Sequence, residues 1–162
     1  MLVRRIAQTD DPVRAGNIVQ AAYFALDGYP REDEYDRLLG EVASRAGEAH
    51  VIIAIDEDGL IVGCLTFVPG HDNPHAEFVD DAAASFRYFG VDPAAAGRGV
   101  GESMVAWCVD EARRLGRARL RIHTLTMMLG AQRLYERLGF VRDPPFDEEW
   151  DGIVGLAYRL DL

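Results

Sequence analysis

The 162-residue chain contains no lysine: all 17 of its basic side chains are arginine, against 27 acids, for a net charge of −10. A broadly basic surface is thereby excluded, and with it the electrostatics a nucleic-acid binder needs to neutralise phosphates. Cysteine is scarce too. Only Cys64 and Cys108 occur, each on an expected apolar face and neither near residues with metal-ligand spacing. This excludes a disulfide framework and leads us to expect two reduced core thiols in a cytoplasmic protein. No apolar run approaches the roughly 18 residues of a membrane span, so no membrane association is expected. Met1-Leu2-Val3-Arg4-Arg5 opens a strand-like piece and not a signal sequence. What remains, 49% hydrophobic and 27% charged, is ordinary for a globule. The whole of 1–162 reads as one domain.

The charges are uneven. Eight arginines fall in 98–137 beside only four acids, whereas acids crowd 27–36, 72–81 and 143–151. Acidic loops keep a protein soluble; they can also steer a cationic amine toward a cleft.

Along the chain, 2–7 reads as a strand and Thr9-Asp10-Asp11-Pro12 as a helix entrance with a cap and an early proline. A second helix is expected over 32–46, stopped by Gly47. His50-Val-Ile-Ile-Ala-Ile55 is a buried strand, Asp56-Glu57-Asp58-Gly59 a hairpin turn, and 60–68 the returning strand. A long polar connection, 69–83, precedes a strand at 86–91, and long ordered loops are often functional. Apolar residues at Val100, Met104, Val105, Cys108 and Ala112 give a helix over 101–115. The alternation of Ala118 to Ile122 gives a strand, 129–138 a short helix ended by Gly139, Phe140-Val141-Arg142 the beginning of another strand, 143–151 a Pro- and acid-rich loop, and 153–160 a last strand. The order β-αα-βββ-α-β-α-ββ describes an α+β layered domain, with about 7 strands in a mixed, mostly antiparallel sheet and about 4 helices.

Between the strand at 86–91 and the next helix lies Val91-Asp92-Pro93-Ala94-Ala95-Ala96-Gly97-Arg98-Gly99-Val100-Gly101. Alternating glycines permit positive φ and bare backbone, and a helix N-terminus offers unpaired N–H groups and a positive dipole end. Together they suit a phosphate. A Walker A loop is excluded because Gly101 is followed by Glu102-Ser103 and no lysine. A dinucleotide fingerprint is excluded by the G-x-G-x-G spacing and by Leu120-Arg121-Ile122 where an acid is needed. The third reading is a cradle for the pyrophosphate of coenzyme A.

On these residues the chain resembles the GNAT superfamily of acyl-CoA-dependent N-acyltransferases, whose mark is a strand, V-x-P, then Arg/Gln-x-x-Gly-x-Gly/Ala opening a helix. Val91-Asp92-Pro93 and Ala96 to Gly101 match, except that Ala96 replaces Arg or Gln. Downstream, Ala131-Gln132-Arg133-Leu134-Tyr135-Glu136-Arg137-Leu138-Gly139-Phe140 is similar to the second mark, A-x-x-L-Y-x-x-x-G-F. Taken alone that stretch is simply an amphipathic helix; behind the glycine loop it strengthens the resemblance, which is specific over 84–141. Met128 stands where the family usually has a pantetheine-contacting asparagine.

The resemblance implies the GNAT fold, acetyl-CoA as cosubstrate and a small-molecule or peptide amine as acceptor, by direct transfer in a ternary complex. It implies cofactor contacts at Phe89, Gly90, Val91, Ala96, Gly97, Arg98, Gly99, Val100, Gly101 and Glu102, and it makes Tyr135 the acid that protonates the departing thiolate. A lysine-like amine is only about 0.04% neutral at pH 7, a cost of roughly 4–5 kcal/mol, against about 1 for an α-amine. A base therefore matters. The family's glutamate on or before this strand is replaced here by Ser85 and Arg87, which leaves Glu77, or Asp80 and Asp81, in the long loop, or His123 at the end of the next strand. His71 and His75 are not expected to bind metal, since Pro74 prevents helical presentation of ligands. The acceptor site is expected among Tyr23, Phe24, Tyr29, the 70–83 loop and 143–151. A catalytically inactive acyl-CoA-binding regulatory or interaction domain is the alternative, and the oligomeric state, a homodimer included, stays open.

Overall fold

The computed structural model of the chain describes residues 1–162. Its elements run β1 (Leu2–Arg5), α1 (Pro12–Phe24), α2 (Asp33–Gly40), α3 (Val42–Ala46), β2 (His50–Ile55), β3 (Ile61–Val68), β4 (Ala83–Val91), α4 (Val100–Arg114), β5 (Arg119–Leu125), α5 (Leu129–Arg137), β6 (Val141–Arg142), β7 (Glu148–Trp150) and β8 (Ile153–Asp161). The eight strands form one sheet in the order β1-β2-β3-β4-β5-β8-β6, with β7 beside β8. Every pairing is antiparallel except β4 with β5.

Both faces of the sheet are covered, which explains why β2 is apolar at nearly every position. Period-two alternation sends Val51 and Ile53 to one face, under Ile18, Val19 and Leu39 of the first helices, and Ile52 and Ala54 to the other, under Met104 and Val105 of α4. α1 starts where Asp11 accepts from the N–H groups of Val13 and Arg14, with Pro12 at its first position.

Two expectations change. The single helix over 32–46 is two helices, because Gly40 has low helix propensity and Glu41 leaves helical geometry (φ −81°, ψ 59°). The buried Arg45 guanidinium then turns back to satisfy α2's last carbonyls at Leu38 and Leu39. The loop at 143–151 holds β7, joined to β8 by Asp151-Gly152. Both of those residues have positive φ, the mark of a two-residue hairpin. The sheet thus has eight strands and five helices flank it, on the expected plan.

Candidate active site

β4 and β5 pair only at Ala83–Ser85 with Arg119–Arg121. Beyond that point they separate and leave a cleft in the middle of the sheet. A bulge sharpens the divergence: Cys64 and Thr66 of β3 face Gly90 and Arg87, so β4 carries one extra residue there. Tyr88 sits at that bulge with φ 50°, a conformation a tyrosine adopts only where its surroundings enforce it. Asp92 N–H bonds to Val62 O on β3. Alternation therefore turns Val91 N–H to the open side, where β5 has departed. Gly90 has a packing reason as well. A Cβ there would lie 2.7 Å from Val19 Cα, so glycine is what lets α1 lie directly on β4.

At the mouth of the cleft the chain rounds the glycine loop. Gly97 and Gly99 have φ of 75° and 76°, the left-handed region glycine tolerates without cost. Gly99 caps α4 with no side-chain bond, and the first helical bond runs from Ser103 N–H to Gly99 O. The N–H groups of Gly97, Gly99, Val100, Gly101 and Glu102 consequently have no acceptor within the protein. This row, at the positive end of a 15-residue helix, fits a pyrophosphate. Ala96 adds no polar group and Arg98 is largely exposed, so the fit rests on backbone. Gly101 lies under Leu134 of α5, which ties the loop to the helix that bears Tyr135.

Deeper in, Glu77, His123 and Tyr135, drawn from three separate segments, line one cavity of about 80 Å³. Tyr135 is 2% exposed, packed against Phe86, Phe140 and Tyr158. Its hydroxyl has no partner in the protein and opens to the cavity. Burial pushes this phenol well above its ordinary value, so it stays a proton donor. Glu77 Oε2 lies 2.9 Å from His123 Nδ1, and Phe146 O lies 2.8 Å from Nε2. A carbonyl only accepts, so Nε2 carries hydrogen. A carboxylate also only accepts, so the Nδ1 contact needs one more proton on the ring or on Glu77.

Sequence reasoning missed several cavity residues. Arg87 Nη2 reaches Glu77 Oε1 at 2.9 Å, so both Glu77 oxygens are engaged. Tyr23 lines the cavity as expected, but Phe24 and Tyr29 do not; Tyr35, Tyr88 and Trp150 do. Burial raises the Tyr35 phenol to about 12. Tyr29 bonds to Asp36 instead, and Phe24 lies under the Arg31 guanidinium. The Asp151-Gly152 turn was the one available signal for Trp150. His75 turns away to Glu48, 2.6 Å distant. Of the other base candidates, Asp80 is held by Arg119 and Arg121, while Asp81 borders a shallow basin of about 740 Å³ with His71. Some acids of the acidic stretches are paired: Asp36 with Arg31, Asp143 with Arg121 and Arg159, and Asp147 with Arg142.

The order of elements and the row of free backbone N–H groups at the entrance to α4 are what the resemblance to acyl-CoA N-acyltransferases implies. The chain belongs to the GNAT family: the family model described as "Acetyltransferase (GNAT) family" matches residues 15–140. It is accordingly a GNAT acyltransferase. Solved structures share the fold. A GCN5-related N-acetyltransferase from Kribbella flavida is 22% identical, with 99% of this chain and 97% of that one covered and a TM-score of 0.71. A GNAT-family structure from Desulfovibrio desulfuricans is 21% identical, covering 99% and 98%, with a TM-score of 0.74. The structure of yncA from Salmonella typhimurium, with its cofactor acetyl-CoA, is 21% identical, covering 99% and 93%, with a TM-score of 0.69. No curated protein is significantly similar to the sequence. No helix is long and apolar enough to cross a membrane.

Proposed function

We propose that this acyltransferase moves an acetyl group from acetyl-CoA to a primary amine, on a small molecule or a peptide, by direct attack in a ternary complex. The observation that carries the reading is a convergence in one cleft. The free phenol of Tyr135 and the Glu77–His123 pair line one cavity, and the unpaired N–H groups of Gly97 and of Gly99 to Glu102 lie where Gly101 packs against Leu134 of the helix bearing Tyr135. The backbone of Gly97 and Gly99 to Glu102 holds the pyrophosphate, and the open edge of β4 at Phe89 and Val91 takes the pantetheine arm. A cavity of about 80 Å³ suits an acetyl group better than a long acyl chain.

Three steps need help, and this chain has a group for each. The ammonium of the acceptor must lose a proton. In the deprotonated pair a ring lone pair faces the Glu77 carboxylate, so taking the acceptor's proton restores the hydrogen bond between them. The oxyanion that develops needs a donor, which the open N–H edge of β4 supplies. The CoA thiolate leaves with a proton from Tyr135.

The test is thiol release from acetyl-CoA across a panel of amines. Amine-dependent release is expected for at least one class. Tight acetyl-CoA binding with no amine-dependent release would overturn the reading and leave a CoA-binding domain without chemistry.

A further inference from the structure

β5 places Arg121 and His123 two residues apart, hence on the same face of the strand. Each reaches across to the same two covering segments. Arg121 Nε meets Asp80 at 2.7 Å and its Nη1 meets Asp143 at 2.6 Å. His123 meets Glu77 and Phe146 O. Glu77 lies three residues before Asp80, and Phe146 three residues after Asp143. Two parallel rungs result, one ionic and one through the imidazole. Aromatic packing couples them: Phe78 stacks on His123 with centroids 4.1 Å apart, and the Arg121 guanidinium lies over Phe146 at 3.8 Å.

We infer that Arg121 is a positioning residue for acyl transfer: through Asp80 and Asp143 it fixes the two covering segments so that Glu77 and His123 meet over the cavity. This rests on the assignment of that pair as the proton acceptor. Arg121 is 4% exposed. Its two charged bonds are buried, where an ion pair adds little net stability over a packed apolar side chain but fixes geometry closely. Arg119 and Arg159 back up the same carboxylates from more exposed positions. The covers therefore stay attached when Arg121 is lost, but not in register.

The experiment compares Arg121→Met, Arg121→Lys and Glu77→Gln with the parent protein. It reads turnover at saturating acetyl-CoA, acetyl-CoA affinity by calorimetry, and the His123 ring N–H signals by NMR. For Arg121→Met the expectation is a turnover loss of about 10- to 100-fold, the scale of a misplacement of about 1 Å. Acetyl-CoA affinity should stay within twofold and the His123 signals should broaden or vanish. Arg121→Lys should recover part of the turnover. Folded Arg121→Met with turnover within twofold of the parent, or with turnover and acetyl-CoA affinity lost in parallel, would overturn the inference. Normal turnover in Glu77→Gln would instead remove the assignment beneath it. If Arg121→Met does not fold, Asp143→Asn is read by the same criteria.

Discussion

Removing one oxygen separates the chemical role of Tyr135 from its packing role. In Tyr135→Phe the ring keeps its contacts, with centroids 5.9, 5.6 and 6.1 Å from Phe86, Phe140 and Tyr158. The lost hydroxyl makes no hydrogen bond in the protein, so no partner is orphaned and the usual penalty of about 1–3 kcal/mol does not arise. The melting temperature should move by no more than about 2 °C, the shift for roughly 0.5 kcal/mol in a chain of this size. Acetyl-CoA affinity, carried by the backbone at 97–102, should stay within twofold. Turnover should fall by about 10²–10⁴, the range for removing a general acid. The sign with pH follows from burial, which holds the phenol protonated past its ordinary value. Any basic limb of the parent's rate profile below pH 10 then belongs to another group. The assay is free-thiol release, and the composition makes it clean. With no lysine in the chain, no ε-amine of the protein competes as acceptor. Unchanged turnover in a folded variant would remove Tyr135 from the acid role, and a parallel loss of acetyl-CoA affinity would show that it shapes the binding site instead.

Gly99→Val places a branched side chain at φ 76°. No atom lies within 4 Å of the new Cβ, so the cost is backbone strain of about 1–2 kcal/mol, and acetyl-CoA affinity should fall at least tenfold by calorimetry; retained affinity would refute the cradle. Arg45→Met leaves the Leu39 carbonyl and the Thr66 hydroxyl without their donor, while the Leu38 carbonyl keeps only the Glu41 N–H. Relief of a buried charge offsets part of this, so a net loss of about 2–3 kcal/mol is expected, or roughly 5–10 °C by calorimetry; an equal or higher melting temperature would refute it. Asp10 is lowered to about 2 by its bonds from Arg4, and Glu111 to about 2 by those from Arg114 and then Arg5, against burial. Both bind protons less readily folded than unfolded, so their contribution is complete above the unfolded value near 4 and lost as pH falls toward 2. A melting temperature flat from pH 5 to pH 2.5 would contradict this, and Glu111→Gln should make the decline shallower.

What was legible in the sequence was what is local. Gly97 and Gly99 need positive φ wherever the rest of the chain lies, and Val100 to Ala112 set a buried stripe by spacing alone, so the glycine turn and α4 could be read directly. The cavity is another matter. His123 meets Glu77 across 46 positions and Arg121 meets Asp143 across 22, and no local pattern encodes either approach. Arg87 looked like a departure from a family glutamate; folded, it holds Glu77, the carboxylate that occupies the cavity from the loop instead. β7 was legible in principle, because Asp151-Gly152 between Trp150 and Ile153 is a hairpin signal. The density of proline and acid around it favoured a loop reading. The break at Glu41 had only Gly40 to announce it.

The missing lysine and the crowded acids are two sides of one arrangement. Arg4 forks onto both oxygens of Asp10, Arg114 onto both of Glu111, and Arg142 onto both of Asp147. Arg121 divides its nitrogens between two aspartates, and Arg45 serves two carbonyls and a hydroxyl. Each is a task for a planar guanidinium with several fixed donors, and a point-charge ammonium cannot do it in one geometry. Acids at 72–81 and 143–151 that look like a solvated, steering surface are thus partly the anchors of the segments covering the active site. On the proposed reading the acceptor meets an interior in which Glu77 already has both oxygens engaged and the Tyr135 hydroxyl is unpaired. An amine that enters neutral, or surrenders its proton on arrival, suits that interior; a permanent cation does not.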